Sequence, residues 1–208
     1  MKRASTAQKK EQRRASILER ARAYISTRSF DEIRLSDLAR ELDLVKGTLY
    51  LYFPTKQDLF VSILVEEMEA WWKAFLEKRP TRSPGKDLSR GLGGRGLLVR
   101  LLASLHMTIE PGLSPEGLRR TKRWFRDFAL RASKDMEARY PGIAGRGFKL
   151  LMGTYALALG VSQLAFPPGN VEAVIRSDTT LAPFRIEFEA FLSECVDSLY
   201  RGTRTRSA

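Results

Sequence analysis

Lys46, Thr48, Tyr50, Tyr52 and Lys56 fall within one short stretch of the chain, VKGTLYLYFPTK. Ammonium and hydroxyl groups at this density are hydrogen-bond donors, which phosphate oxygens and the acceptor edges of bases require. Lys46 can reach a guanine edge or a phosphate, and Thr48 can bond a phosphate or touch a thymine methyl. Gly47 removes a side chain where a helix would come closest to a nucleic-acid backbone. Tyr50 and Tyr52 each offer a hydroxyl to phosphate oxygens. Lys56, opening a longer helix, can contribute a backbone amide or its ammonium to another phosphate. The chemistry implied is polyanion recognition, not bond making.

Bond-making chemistry has few candidates elsewhere. A single histidine, His106, excludes His-pair metal motifs, and a single cysteine, Cys195, excludes an internal disulfide and a Cys-based zinc site. No Ser, His and acidic set offers itself as a hydrolase triad. We therefore expect no catalytic residue, no metal and no cofactor, and the chain is not read as an enzyme. Gly91-Leu92-Gly93-Gly94-Arg95-Gly96 satisfies G-x-G-x-x-G, but the dinucleotide fingerprint needs a strand before it and a βαβ unit around it. The glycines read as a linker. His106 lies among Leu105, Met107 and Ile109 and reads as a core or pocket residue; Cys195, beside Val196, reads as packing.

The charge balance agrees with a polyanion partner. The 208 residues hold 36 Lys and Arg against 24 Asp and Glu, a net +12. Residues 1–56 hold 13 basic and 7 acidic residues, so 13 − 7 = +6, half of the net charge from about a quarter of the chain. The opening MKRASTAQKK has no apolar run after its positive start, so no secretory signal is expected and a cytoplasmic location fits. As an arm it could track phosphates or a minor groove, or simply be disordered. One stretch, LLMGTYALALGVSQLAFPPGNV between Lys149 and Glu172, is uncharged over 22 residues, long enough for a bilayer. Pro167 and Pro168 cut it short, and Thr154, Ser162 and Gln163 interrupt it. We read it as a helix buried by protein on nearly all sides, with no membrane partner.

Helical periods position these groups, and strand signals are scarce. Helices are expected at about 9–27, 36–42, 45–51 and 56–78. Residues 79–96, RPTRSPGKDLSRGLGGRG, read as a loop or mobile linker. Helices resume at about 96–109, and Ser114-Pro115 caps another running to about Tyr140. The uncharged helix covers about 147–166, the last runs from about Pro183 to Tyr200, and the tail RGTRTRSA is expected to fray. The fold class is all-α, with eight or nine helices. Two short helices meet across Leu42-Asp43-Leu44, the helix-turn-helix geometry. Leu38, Ala39 and Leu42 face inward, Leu44 plugs the turn, and Leu49 packs the second helix onto the first.

This segment resembles the DNA-binding domain of the tetracycline-repressor (TetR) family of bacterial transcription regulators. The residues carrying the likeness are Leu38-Ala39, Lys46-Gly47-Thr48-Leu49-Tyr50, Tyr52-Phe53, Thr55-Lys56 and Leu59. The likeness covers about residues 10–60; beyond it only the architecture matches. Three positions depart from the family pattern. Arg34 stands where a capping threonine is usual, with Ser36 the nearest hydroxyl. Asp43 replaces the turn glycine, and Val45 replaces the serine that caps the recognition helix, where it could instead touch a thymine methyl. The residues expected to meet DNA are thus Lys46, Gly47, Thr48, Tyr50 and Tyr52, assisted by Arg34, Ser36, Val45 and Lys56.

The resemblance implies two domains. Residues 1–56 hold the basic arm and the helix-turn-helix; residues 57–208 form a helical ligand-binding and dimerisation domain. Gly153, Ala156 and Gly160 on the uncharged helix, with Phe184, Phe188, Phe191 and Val196 near the carboxyl end, are the expected interface of a homodimer. Trp71, Trp72, His106, Trp124, Phe125, Phe128, Met152 and Tyr155 are candidates for the lining of a small-molecule effector pocket. The function implied is a repressor, released from a pseudo-palindromic double-stranded operator by an apolar or aromatic ligand. A non-specific architectural DNA binder shares the basic charge. An activator, ligand-independent or not, shares the motif, and an all-α enzyme is disfavoured by the missing catalytic set.

Overall fold

A computed structural model describes residues 2–204, with side chains from residue 7. Among these residues there are ten α-helices, short π and 3-10 turns, and no strand. The chain divides into two compact units. Residues up to Glu67, with Leu105–Leu118, form the first; Met68–Ser104 and the residues from Arg119 onward form the second.

In the first unit α1 (Lys2–Ser26), α2 (Leu35–Glu41), α3 (Lys46–Tyr52) and the first half of α4 (Lys56–Glu77) surround one core. Ile17, Leu18, Ala21 and Ile25 recur at helical spacing on α1 and are buried with Leu38, Leu49, Phe53, Leu59, Phe60 and Ile63. Phe30 and Phe60 meet with ring centroids 4.9 Å apart. Thr55 and Asp58 begin α4 reciprocally: the Asp58 amide donates to Thr55 Oγ1 at 3.1 Å, and Asp58 Oδ2 accepts from the Thr55 amide at 3.2 Å. Arg22 ties α1 to α4 through Glu66 at 2.7 Å. The first helix starts at Lys2, not near residue 9, so much of the expected arm is helical. Met1 of that arm, and residues 205–208 of the tail expected to fray, lie outside the described residues.

The second unit corrects three expectations. Residues 79–96 are not a linker, because α5 (Pro84–Gly93) occupies most of them. Ser83 caps it by accepting from the Lys86 amide, Pro84 opens it, and Leu88 and Leu92 are buried. Its glycines serve close approach. A Cβ on Gly85 would lie 2.1 Å from the carbonyl oxygen of Ser193 on α10 (Phe188–Thr203), one on Gly93 would overlap Glu189, and one on Gly91 would sit 2.5 Å from Trp71 Nε1. Asp197 on α10 holds the start of α5, accepting from Ser83 Oγ at 2.5 Å and the Gly85 amide at 2.8 Å.

The last helix starts at Phe188, not near Pro183. Another helix, α9 (Gly169–Ser177), and a 3-10 turn over Thr179–Phe184 come before it. Between them Asp178 accepts from the Thr180 hydroxyl and from the Thr180 amide, which in that order lower the carboxyl pKa, and the amide bond starts that turn. The uncharged helix, α8 (Gly147–Ala165), is long and apolar enough to cross a membrane by length and composition, yet only 33% of its most apolar window is buried within the chain. It is not buried on nearly all sides. Leu150, Leu151, Thr154, Ala158 and Val161 face inward, while Met152, Ala156, Gly160 and Leu164 are exposed at steps of four along one face. Helix α6 (Gly96–Ser104) stops short of the expected 109, where a π turn covers Leu105–Ile109, while α7 (Pro115–Arg139) follows its expected span closely, with Ser114 Oγ accepting from the Gly117 amide at 3.1 Å.

Candidate nucleic-acid interface

Geometry around α3 begins at the turn before it. Leu42 closes α2, Asp43 adopts φ +52°, and the Leu44 amide donates back to the Ala39 carbonyl at 2.9 Å. The left-handed residue reverses the chain, so α3 leaves across α2. Glycine would adopt this conformation without cost; aspartate tolerates it because its short polar side chain suits turns. Neither helix receives a side-chain cap. Arg34 and Val45 stand at the two N-cap positions with extended backbone and no cap hydrogen bond, and Ser36 lies inside the first turn without supplying one. The uncapped amides at the start of α3 are left to other acceptors.

Only Leu49 of α3 is fully buried, which anchors one side and leaves the other to solvent. Val45 (77% exposed), Lys46, Gly47, Tyr50 and Leu51 (78% exposed) form the open face. Lys46 Nζ lies 5.7 Å from the Tyr50 ring centroid, so the two groups share one flank. Thr48 and Tyr52, four residues apart, are half-buried on the other flank. No Cβ on Gly47 would meet anything within 4 Å, so the missing side chain serves no contact inside the fold.

Lys56 also makes a bond within the fold. Its ammonium donates to the Phe30 carbonyl at 3.1 Å, joining α4 to the loop after α1. Sequence pattern gave no signal for this bond, which spans 26 residues. Two further groups escaped sequence reading. Arg20 Nη1 donates to the Leu42 carbonyl at 2.7 Å and so braces the turn, and Leu51 adds an apolar group to the open face. Among the described residues, no group of three or more His, Cys, Asp or Glu is placed to hold a metal.

Comparison with known proteins decides what this arrangement is. Residues 17–63 match the profile described as bacterial regulatory proteins, tetR family, and residues 64–207 match the one described as tetracyclin repressor-like, C-terminal domain. The chain belongs to the TetR family. Its first unit carries the TetR helix-turn-helix domain and is followed by the helical carboxyl-terminal part. Similar proteins include the HTH-type transcriptional repressor KstR of Rhodococcus jostii, 35% identical over 83 residues, or 40% of this chain and 36% of that one. The HTH-type transcriptional regulator EthR of Mycolicibacterium smegmatis is 30% identical over 83 residues, 38% of each chain. The chain thus spans little more than a third of these curated relatives. A crystal structure of a possible TetR family transcriptional regulator from Streptomyces coelicolor A3(2) shares the fold, with a TM-score of 0.59 and 19% identity over 91% of this chain and 99% of that one.

The expected effector-lining residues of this TetR-family chain separate into groups. Trp71, Trp72 and Phe128 are buried, and Trp124 and Phe125 are half-buried beside them. Trp72 meets Trp71 and Phe128 at 5.4 and 5.9 Å between centroids, Trp124 stacks on Phe128 at 5.2 Å, and Trp72 Nε1 donates to Asp135 at 2.8 Å. Trp71 Nε1 is buried with no hydrogen-bond partner among the described residues. His106, expected in the core or a pocket, is exposed in the first unit on a π turn over Leu105–Ile109, 3.2 Å from Glu110. Met152 faces solvent from α8 and Tyr155 is half-buried on it.

The expected interface residues separate too. Phe188 and Val196 are buried within the chain, and Leu199 occupies the space a Cβ on Gly153 would need, 2.4 Å away. Phe191 is half-buried, while Ala156, Gly160 and Phe184 are exposed.

Proposed function

We propose that this TetR-family chain is a homodimeric, sequence-specific DNA-binding repressor, with residues 1–56 reading DNA and residues 57–208 carrying the dimer contact and the effector site. The observation that carries the reading is the open face of α3. A seven-residue helix anchored by one leucine presents Val45, Lys46, Gly47 and Tyr50 outward, with Thr48 and Tyr52 on its flank. That places donors and apolar groups on one side and unfilled space at Gly47, as entry into a major groove requires.

Dimerisation is supported by the exposed face of α8. Met152, Ala156, Gly160 and Leu164 form a small, uncharged stripe that a second helix can approach closely. A few groove-facing residues cannot select a genomic site alone, whereas two copies on an inverted repeat can. The aromatic cluster of Trp71, Trp72, Trp124, Phe125 and Phe128, with an unpartnered indole N–H on Trp71, supports an effector that is largely apolar and carries a hydrogen-bond acceptor. Such a ligand acts by favouring a dimer whose two α3 helices no longer match the half-site spacing.

The test is selection of bound duplexes from a random pool at about 150 mM salt, where purely electrostatic binding is largely lost. Enrichment of an inverted repeat is expected. Binding at low salt without any enrichment refutes sequence-specific recognition and leaves an architectural DNA binder.

A further inference from the structure

The amino-terminal stretch of α1 has no reason to exist as packing. Every side chain from Ala7 to Arg13 is exposed, and the first buried one is Ile17. Helices in globular proteins are held mainly by a buried apolar face, which these turns lack. Residues 7–16, AQKKEQRRAS, hold four cations and one anion. Glu11 lies 3.7 Å from Arg14, and no hydrogen-bond or ion-pair partner of Lys9, Lys10 or Arg13 occurs among the described residues. Spaced three and four apart, Lys10 with Arg13 and Lys9 with Arg13 share a helix face, where like charges repel.

Two contacts fix where this face lies. Arg20 reaches the Leu42 carbonyl, at the turn that enters α3. Six residues earlier, the Arg14 guanidinium lies 5.4 Å from the ring centroid of Phe53, the residue that leaves α3, and donates to Ser62 Oγ at 2.8 Å. The first helix thus passes α3 from its entry to its exit and continues in line beyond it. At about 1.5 Å per residue, Arg13 to Lys9 spans roughly 6 Å past that exit.

We propose that Lys9, Lys10 and Arg13 form a second DNA-contacting element, lying on backbone phosphates that flank the segment α3 reads. The proposal rests on the assignment of α3 to DNA and adds a sequence-independent contact to it. Phosphates recur every ~3.4 Å of axis along one strand, so a 6 Å cationic stripe matches two or three of them.

The experiment compares the full chain with a Lys9→Gln, Lys10→Gln, Arg13→Gln triple variant and with Tyr50→Ala. Affinity is read by fluorescence anisotropy from about 50 to 300 mM KCl, a range over which phosphate contacts dominate the salt dependence. The probes are a random-sequence duplex and a duplex enriched by selection. The triple variant should lose about 0.9 from the salt slope per phosphate contact, up to ~2.7 per chain, and bind up to about 100-fold more weakly at 150 mM on both duplexes. Its preference between the duplexes should stay that of the parent. Tyr50→Ala removes a neutral donor from α3 and should weaken binding with little change of slope. Equal slopes for parent and triple variant on both duplexes, with matching circular dichroism, overturn the proposal. If the parent shows no preference while the triple variant still lowers the slope, the basic stripe stands and the assignment of α3 to sequence recognition falls.

Discussion

Gly47 should be a position where stability and DNA affinity move in opposite directions. It is the second residue of α3, and nothing lies within 4 Å of the Cβ that alanine would add. In the free chain Gly47→Ala therefore removes backbone freedom from the unfolded state and introduces no overlap. A gain of about 0.5–1 kcal/mol is expected. For a chain of this size that raises the unfolding midpoint by roughly 1–4 °C. In the docking proposed for α3, the same methyl would enter the closest approach between the helix and the groove wall. Overpacking of a fitted contact costs about 1–3 kcal/mol, which is about 5- to 150-fold in affinity. Thermal melts by circular dichroism and anisotropy against an enriched duplex read the two effects separately. A raised melting point with unchanged or tighter binding would show that DNA does not approach α3 at Gly47, and the docking geometry proposed for this helix would be wrong.

Four other perturbations test the structure. Gly85→Ala, by contrast with Gly47→Ala, places a Cβ 2.1 Å from a backbone oxygen that cannot move independently, so a loss of about 1–3 kcal/mol or more is expected in denaturant titration. Asp43→Gly relieves a left-handed aspartate at φ +52° and should stabilise the chain by about 0.5–1 kcal/mol; a destabilised variant would mean that the aspartate side chain stabilises the turn by more than its strain. Tyr140 donates to Asp87 at 2.6 Å, and burial first, then that bond and the carboxylate charge, push its pKa well above the usual tyrosine value. A raised folded-state pKa gives stability that is present below about pH 10, the unfolded value, and is lost as pH rises further; Tyr140→Phe should cost about 1–2 kcal/mol at neutral pH and flatten the alkaline decline of the melting temperature. Gly160→Glu adds a side chain into open space on α8, so the fold should persist while sedimentation shifts towards monomer; an unchanged mass would refute α8 as the dimer contact.

Much of the first unit was legible in the sequence because its signals are local. Apolar residues three and four apart marked α1 to α4 within a residue or two at most boundaries, and Leu49 was marked as the residue holding α3 to α2. The bond from Lys56 to the Phe30 carbonyl and the bracing of the turn by Arg20 were not legible, since both depend on chain reversals that no local period encodes. In the second unit the error over residues 79–96 has a single physical source. Glycine is permissive in an unfolded loop and equally suited to a helix pressed against another, and composition cannot separate the two uses. Ser83 followed by Pro84 was the available clue, the same cap pattern that identified Ser114-Pro115 correctly. Helix α9 is short and follows Pro167-Pro168, which reads as a break.

Uncharged residues on α8 point outward as well as inward, and this separates two explanations of its composition. A helix needed only for the interior of one chain can carry polar residues on the side facing water, as α7 does with Arg123, Arg126 and Asp127. Helix α8 carries few, Lys149 near its start and Gln163 near its end, and between them Met152, Ala156 and Gly160 are exposed without a charge among them. Small residues there forgo the solvation that a lysine or glutamate would provide. A small residue such as Gly160 leaves room for another surface to come close. Gly153 and Gly160 lie two turns apart on the same helix and show the two cases. The space beside Gly153 is filled by Leu199 of the same chain, whereas the space beside Gly160 is empty. A glycine that meets nothing in its own chain, in a stripe without charge, is the observation on which the proposed dimer contact through α8 rests.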